Sequence, residues 1–133
     1  MNERPPPDSP QAWLKRAHSD LALAFAGVRS PNVLLEDVCF HAQQCAEKAL
    51  KALMLGRGIP FPRTHILETL LDILRASGMA IPANVDEALI LTQYAVQTRY
   101  PGDWEPVTQE EARSALEVAG DVLSWVEEQL AQC

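Results

Sequence analysis

Trp13, Ala17, Leu21, Ala24 and Val28 recur at three- and four-residue spacing, which marks one buried face of a helix. Ser9 followed by Pro10 reads as a cap and a first-turn proline, so this helix starts there and ends near Gly27 and Ser30-Pro31. The second predicted helix starts from a cap at Asn32 and runs to about Leu55, with Gly56 and Gly58 at its stop. A turn holding Pro60 and Pro62 leads to Thr64, the predicted cap of a third helix. Its stripe is Ile66, Leu67, Leu70, Leu71 and Leu74, and Gly78 ends it. Asn84 and Glu87 have capping-box spacing, Val85, Ala88, Leu89, Thr92, Ala95 and Val96 carry a fourth helix toward Arg99, and Tyr100-Pro101-Gly102 stops it. Thr108-Gln109-Glu110-Glu111 is a second capping box, ahead of Ala112, Ala115, Leu116, Ala119, Val122, Leu123, Val126 and Leu130.

No stretch alternates with period two for long enough to predict a strand, and there is neither an internal repeat nor a Gly-rich phosphate loop. The pattern therefore predicts an all-α protein, an antiparallel up-and-down four-helix bundle with an additional shorter helix. A length of 133 residues and a hydrophobic share of 47% suit one core. That single domain is placed at 9–131, behind a Pro-rich leader at 1–8 that lacks hydrophobic periodicity and is expected to be disordered.

Eleven basic residues against eighteen acidic ones give a net charge of −7, so no DNA partner is expected and RNA would need a local basic patch. The apolar runs are broken by charges or prolines well short of the roughly 20 residues of a membrane span, and the polar N-terminus has no apolar signal-peptide centre. A cytoplasmic protein that makes no membrane contact is the expectation. Three cysteines cannot all pair, and Cys39 and Cys45 point in different directions on a helix. They read as small core residues rather than as a disulfide framework or metal ligands, and neither a metal nor a cofactor is expected.

The second helix carries the candidate chemistry. At about 100° per residue His41, Gln44, Glu47, Lys48 and Lys51 share an arc of roughly 120°. Leu35, Val38, Ala42, Cys45, Ala46, Ala49, Ala52 and Leu53 fill the opposite side and are mostly small, which allows a neighbouring helix close approach. The polar stripe reads either as a solvated face with supporting pairs such as Glu47 and Lys51 or as a site.

Phe40-His41-Ala42-Gln43-Gln44-Cys45-Ala46-Glu47-Lys48-Ala49-Leu50-Lys51-Ala52-Leu53 resembles the second-helix signature of HEPN domains. Arg63-Thr64-His65 before a leucine-rich helix and Arg99-Tyr100-Pro101 at the end of the fourth follow in the family's order, and together the matches span Trp13 to Gln129. The resemblance implies a commonly dimeric bundle with a polar groove near the subunit contact. It also implies one of three roles: a nucleotide-binding module, a metal-independent endoribonuclease, or the partner of a minimal nucleotidyltransferase in a two-gene toxin–antitoxin system. A nucleotide or RNA is the ligand such roles imply.

On that resemblance Gln44, Lys48, Lys51, Arg99 and Tyr100 are the expected nucleotide- or phosphate-binding residues, since lysine and arginine suit phosphate oxygens. Nuclease members carry His four to six residues after the Arg, and here those positions hold Trp104, Glu105 and Pro106. A ribonuclease would therefore need His41 or His65 to move the proton beside Arg99. The third possibility is a structural dimeric adaptor whose polar stripe is a wet interface.

Overall fold

A computed structural model describes residues 8–95 and 106–132. Helix α1 spans Pro10–Val28, α2 Leu35–Gly56, α3 Leu67–Ala76, α4 the single turn Ala83–Asp86, and α5 Gln109–Ala131. Helix α4 winds on directly into a 3-10 segment, Glu87–Tyr94. No strand occurs among the described residues, and the predicted all-α bundle is the fold observed. Most of the Pro-rich leader, and the stretch holding Arg99, Tyr100, Trp104 and Glu105, lie outside the described residues.

Two of the predicted caps form as read. Ser9 Oγ accepts the Ala12 N–H at 3.1 Å, and Thr108 Oγ1 accepts the Glu111 N–H at 3.1 Å, each satisfying a donor at a helix start. Three others do not. Residues 30–33 are taken up in a tight turn, with Val33 N–H donating to Ser30 O at 3.3 Å, so α2 begins after Leu34 rather than at Asn32. Glu36 and Asp37 then supply the negative charge favoured at its N-terminus. Thr64 Oγ1 closes a local turn by accepting the Ile66 N–H at 3.1 Å, and the Leu67 N–H at the head of α3 goes to Thr92 Oγ1 at 3.1 Å. The Asn84–Glu87 box is not used, because α4 starts from Pro82 with no side-chain cap.

The fourth predicted helix is the main departure. Val85, Ala88, Leu91 and Tyr94 are buried whereas Leu89 and Ile90 are 39% and 47% exposed. A winding of three residues per turn stacks positions three apart on one face, and here it turns that face inward. Helices α2 and α3 stop as glycine-ended helices do. Gly58 and Gly78 adopt φ of +69° and +99°, which lets Ile59 N–H reach Met54 O at 2.8 Å and Met79 N–H reach Leu74 O at 3.2 Å.

Helix α2 is the centre of the molecule, packed by α1, α3, the 3-10 segment and α5. Trp13 lies beside Lys51 and Gly27 beside Val38, so α1 is antiparallel to α2. Cys45 lies beside Ala119 and Gly56 beside Leu130, so α5 is parallel to it. Ala42, Cys45, Ala46 and Ala49 are fully buried, the small surface that lets these helices close on one another. Burial, reinforced by the charge of Asp20, pushes the Cys45 thiol up to about 12, leaving an unreactive core residue. No helix among the described residues is long and apolar enough to cross a membrane.

Candidate functional site

The polar stripe of α2 is not an open, positively charged face. Of its residues Glu47 is 4% exposed and Lys51 7%, and Gln43 beside the stripe is fully buried. A helical wheel gives directions and not neighbours: α1 covers one flank of the stripe, and the segment leading into α3 covers the other. The stripe is divided into two clusters, each built on one buried carboxylate that binds one imidazole and one ammonium.

Asp20, on the buried face of α1, is the centre of the first. Its Oδ1 accepts from His41 Nδ1 at 2.9 Å and its Oδ2 accepts from Lys48 Nζ at 2.6 Å. An ionised carboxylate only accepts, so this pairing assigns the ring proton to Nδ1 and leaves Nε2 for other contacts. The Phe40 ring stands edge-on to the imidazole, with centroids 5.3 Å apart. The His41 side chain is 27% exposed and that of Lys48 22%.

Glu47 is the centre of the second. Its Oε1 accepts from His65 Nδ1 at 2.8 Å and from Gln43 Nε2 at 3.0 Å, and its Oε2 accepts from Lys51 Nζ at 3.0 Å. Gln43 Nε2 also donates to the His65 carbonyl at 3.1 Å, which fixes the backbone of the loop as well as its ring. The Lys51 ammonium lies 5.9 Å and 5.7 Å from the Trp13 and Phe61 ring centroids, within cation–π range. Burial pushes the Glu47 carboxyl up, but the bonds from His65, Gln43 and Lys51 outweigh it and hold the group below its ordinary value of 4.5. The His65 ring, in contrast, is 66% exposed.

Each arrangement presets an imidazole. A carboxylate on Nδ1 orients the ring and fixes which nitrogen carries the proton, as in the acid–base pairs of hydrolytic sites. The outward Nε2 can then accept a hydrogen bond or a proton, or donate one when charged. Among the described residues no group of three His, Cys, Asp or Glu converges as a metal site would require.

Of the residues expected to bind a ligand, Lys48 and Lys51 come together on α2 but each faces a carboxylate. Gln44 is half-buried and donates to Gln43 Oε1 at 2.7 Å. His41 and His65 fall in different clusters. Arg99 and Tyr100 lie outside the described residues; Thr92, seven positions before Arg99, is bonded to the first residue of α3. Asp20 and Gln43 did not stand out in the sequence. The available signal was Asp20's place on the α1 stripe, three residues from Ala17 and four from Ala24, where an isolated carboxylate needs a partner.

Comparison with known proteins agrees with the fold. The chain is 29% identical to the Methanocaldococcus jannaschii protein named "Putative toxin MJ1304", over 90% of this chain and 87% of that one. The crystal structure of ST0689, an archaeal HEPN homologue, superposes with a TM-score of 0.74 at 30% identity, covering 92% of this chain and 98% of that one. The crystal structure of TT1696 from Thermus thermophilus superposes with a TM-score of 0.75 at 33% identity and the same coverage. The HEPN domain model matches residues 10–129, nearly the same span as the three motifs that resemble the family, and the chain belongs to the HEPN domain family.

Proposed function

We propose that this chain is a HEPN toxin-like module that holds a phosphate-bearing ligand on the polar side of α2 and pairs with a minimal nucleotidyltransferase in a two-gene system. The observation that carries the ligand site is the pair of imidazoles held through Nδ1 by buried carboxylates, since each leaves an oriented Nε2 at the surface. Lys48 has donors left after its bond to Asp20, and with Gln44, Arg99 and Tyr100 it makes up the phosphate- or nucleotide-binding set. Lys51, packed under Trp13 and Phe61, serves chiefly to hold Glu47. The likeness to a protein named as a toxin supports the cellular role, and a homodimer of two 14.7 kDa chains is the assembly proposed.

Titration with AMP and ATP, followed through the His41 and His65 ring resonances, tests the site. Saturable shifts lost in Arg99→Ala and Lys48→Ala are the expected outcome, and rings that ignore both nucleotides would sink it. Light scattering that finds only the monomer mass would remove the dimer. Growth arrest on expression of the chain, relieved by co-expression of a small nucleotidyltransferase from the neighbouring gene, is the expected cellular result.

Endoribonuclease activity is the alternative, favoured by one feature: the exposed His65, oriented by Glu47, stands where a general acid or base could work although the family's motif histidine is absent. Cleavage of single-stranded and structured RNA is expected to be slow or nil, because general acid–base help worth about 10²–10⁴-fold needs a titratable group at hydrogen-bond distance from the reacting hydroxyl. Robust cleavage abolished by Arg99→Ala and by His65→Ala would establish the nuclease instead.

A further inference from the structure

The C-terminal part of α1, the turn after it and the start of α2 enclose an open groove of about 370 Å³, within the size range of small-molecule sites. Leu23, Ala26, Gly27, Val33 and Val38 form its apolar surface. Gly27 sets the floor: a Cβ there would meet Val33 Cγ1 and Val38 Cγ2 at 3.1 Å each, so the two valines close down on bare backbone. Leu23 and Val33 remain 54% and 37% exposed, which leaves hydrocarbon in water that a ligand would cover.

The polar groups in this groove are Ser30, Asp37 and His41. Asp37 and His41 are one turn apart on α2, hence on the same face. Asp37 makes no side-chain hydrogen bond or ion pair among the described residues, and its half-buried carboxylate can only accept. His41 gives its Nδ1 proton to Asp20, so its other ring nitrogen accepts as well. The nearby carboxylate of Asp20 is already matched by Lys48 at 2.6 Å, which leaves Asp37, favoured by the N-terminus of α2 but with no side-chain cation among the described residues, as the carboxylate open to a ligand. Two neighbouring acceptors, one negative, above an apolar floor select a ligand that donates hydrogen bonds, carries positive charge and has a hydrocarbon body.

We infer that this groove is a binding site for a small amphiphilic amine, an ammonium or amidinium head bridging Asp37 and His41 with its apolar body against Leu23, Val33 and Val38. His41 is shared with the nucleotide reading, whereas Asp37, Leu23 and Val33 line this groove and have no part in the phosphate-binding set, so Asp37→Asn tests the amine site without touching the nucleotide one.

Three probes of similar body test it: phenethylamine, 2-phenylethanol and 3-phenylpropionate, titrated while the Val33 and Val38 methyl and His41 ring resonances are recorded. Phenethylamine is expected to shift all three residues saturably and to bind at least about tenfold more tightly than the alcohol, with the carboxylate weaker still. Asp37→Asn is expected to erase the preference for the amine and leave the alcohol unchanged, and Ala26→Leu, which fills the groove, to abolish binding of every probe. Equal affinity for amine and alcohol, an amine preference that survives Asp37→Asn, or binding that survives Ala26→Leu would each overturn the assignment. So would methyl shifts that follow protein dilution without any probe, since a second copy of the chain would then be the occupant.

Discussion

The two carboxylate clusters on α2 are built from the same three groups and do different work. Asp20 joins two helices, α1 and α2, through two donors whose side chains keep a fifth to a quarter of their surface in water. Glu47 gathers three donors, two from its own helix and one from the loop before α3, with Lys51 only 8% exposed. The first is a clasp between elements that already share an extensive apolar contact. The second is the principal polar fastening of a proline-rich loop that lacks regular structure of its own. Burial of a charge costs stability unless its partners are retained, so the deeper cluster has more to lose when one is removed.

Glu47→Ala should therefore show the largest effect, a loss of about 3–5 kcal/mol, because Lys51 would be left buried without a counter-charge. Urea unfolding measures it, and a loss below about 1 kcal/mol would erase the distinction between the clusters. Asp20→Asn should cost less, about 1–3 kcal/mol, since the amide still accepts one bond and Lys48 can turn into solvent. A cost equal to that of Glu47→Ala would mean that exposure of the donors is irrelevant.

Acid provides a third comparison. The folded-state value of Glu47 is depressed below its ordinary 4.5, so its contribution is fully present above that value and disappears as the pH falls through the lower, folded one. Wild-type stability should drop below about pH 4.5 more steeply than that of Glu47→Gln, which has no such proton to gain; parallel curves would contradict the assignment. The smallest effects belong to the histidines. His65→Ala should cost under about 1 kcal/mol, as exposed pairs do, and His41→Ala somewhat more because its ring is better covered. The reverse order would show that the loop depends on the imidazole rather than on Gln43.

The sequence makes some of this plain and hides the rest for physical reasons. Ser9 and Thr108 are legible as caps because a cap is a local bond between residues three apart, and Gly58 and Gly78 as stops because positive φ is a local demand. Asn32, Thr64 and Asn84 have the same chemistry, but at each the surrounding turn or a distant acceptor decides where the helix begins. The α2 stripe is visible as a set of directions; its burial depends on Asp20, Trp13, Phe61 and His65, none of them on α2. The 3-10 segment is hidden because Val85, Ala88 and Leu91 fit an α-helical stripe nearly as well as a three-residue one, and only Tyr94 extends the second pattern.

That winding also fixes a phase. A 3-10 helix advances about 2.0 Å and 120° per residue where an α-helix advances 1.5 Å and 100°. Rewinding the eight residues Glu87–Tyr94 into α form would shorten them by about 4 Å and rotate the far end by roughly 160°. Tyr94 would then swing out of the core and away from Glu111, whose carboxylate accepts from its hydroxyl at 3.2 Å. The segment thus behaves as an indexed shaft: Leu91 and Tyr94 are the teeth, and Ala95 is delivered at a single height and bearing. A substitution that lets those teeth slip, Leu91→Ala for example, is expected to alter the bearing of Ala95 without touching the polar groups of α2.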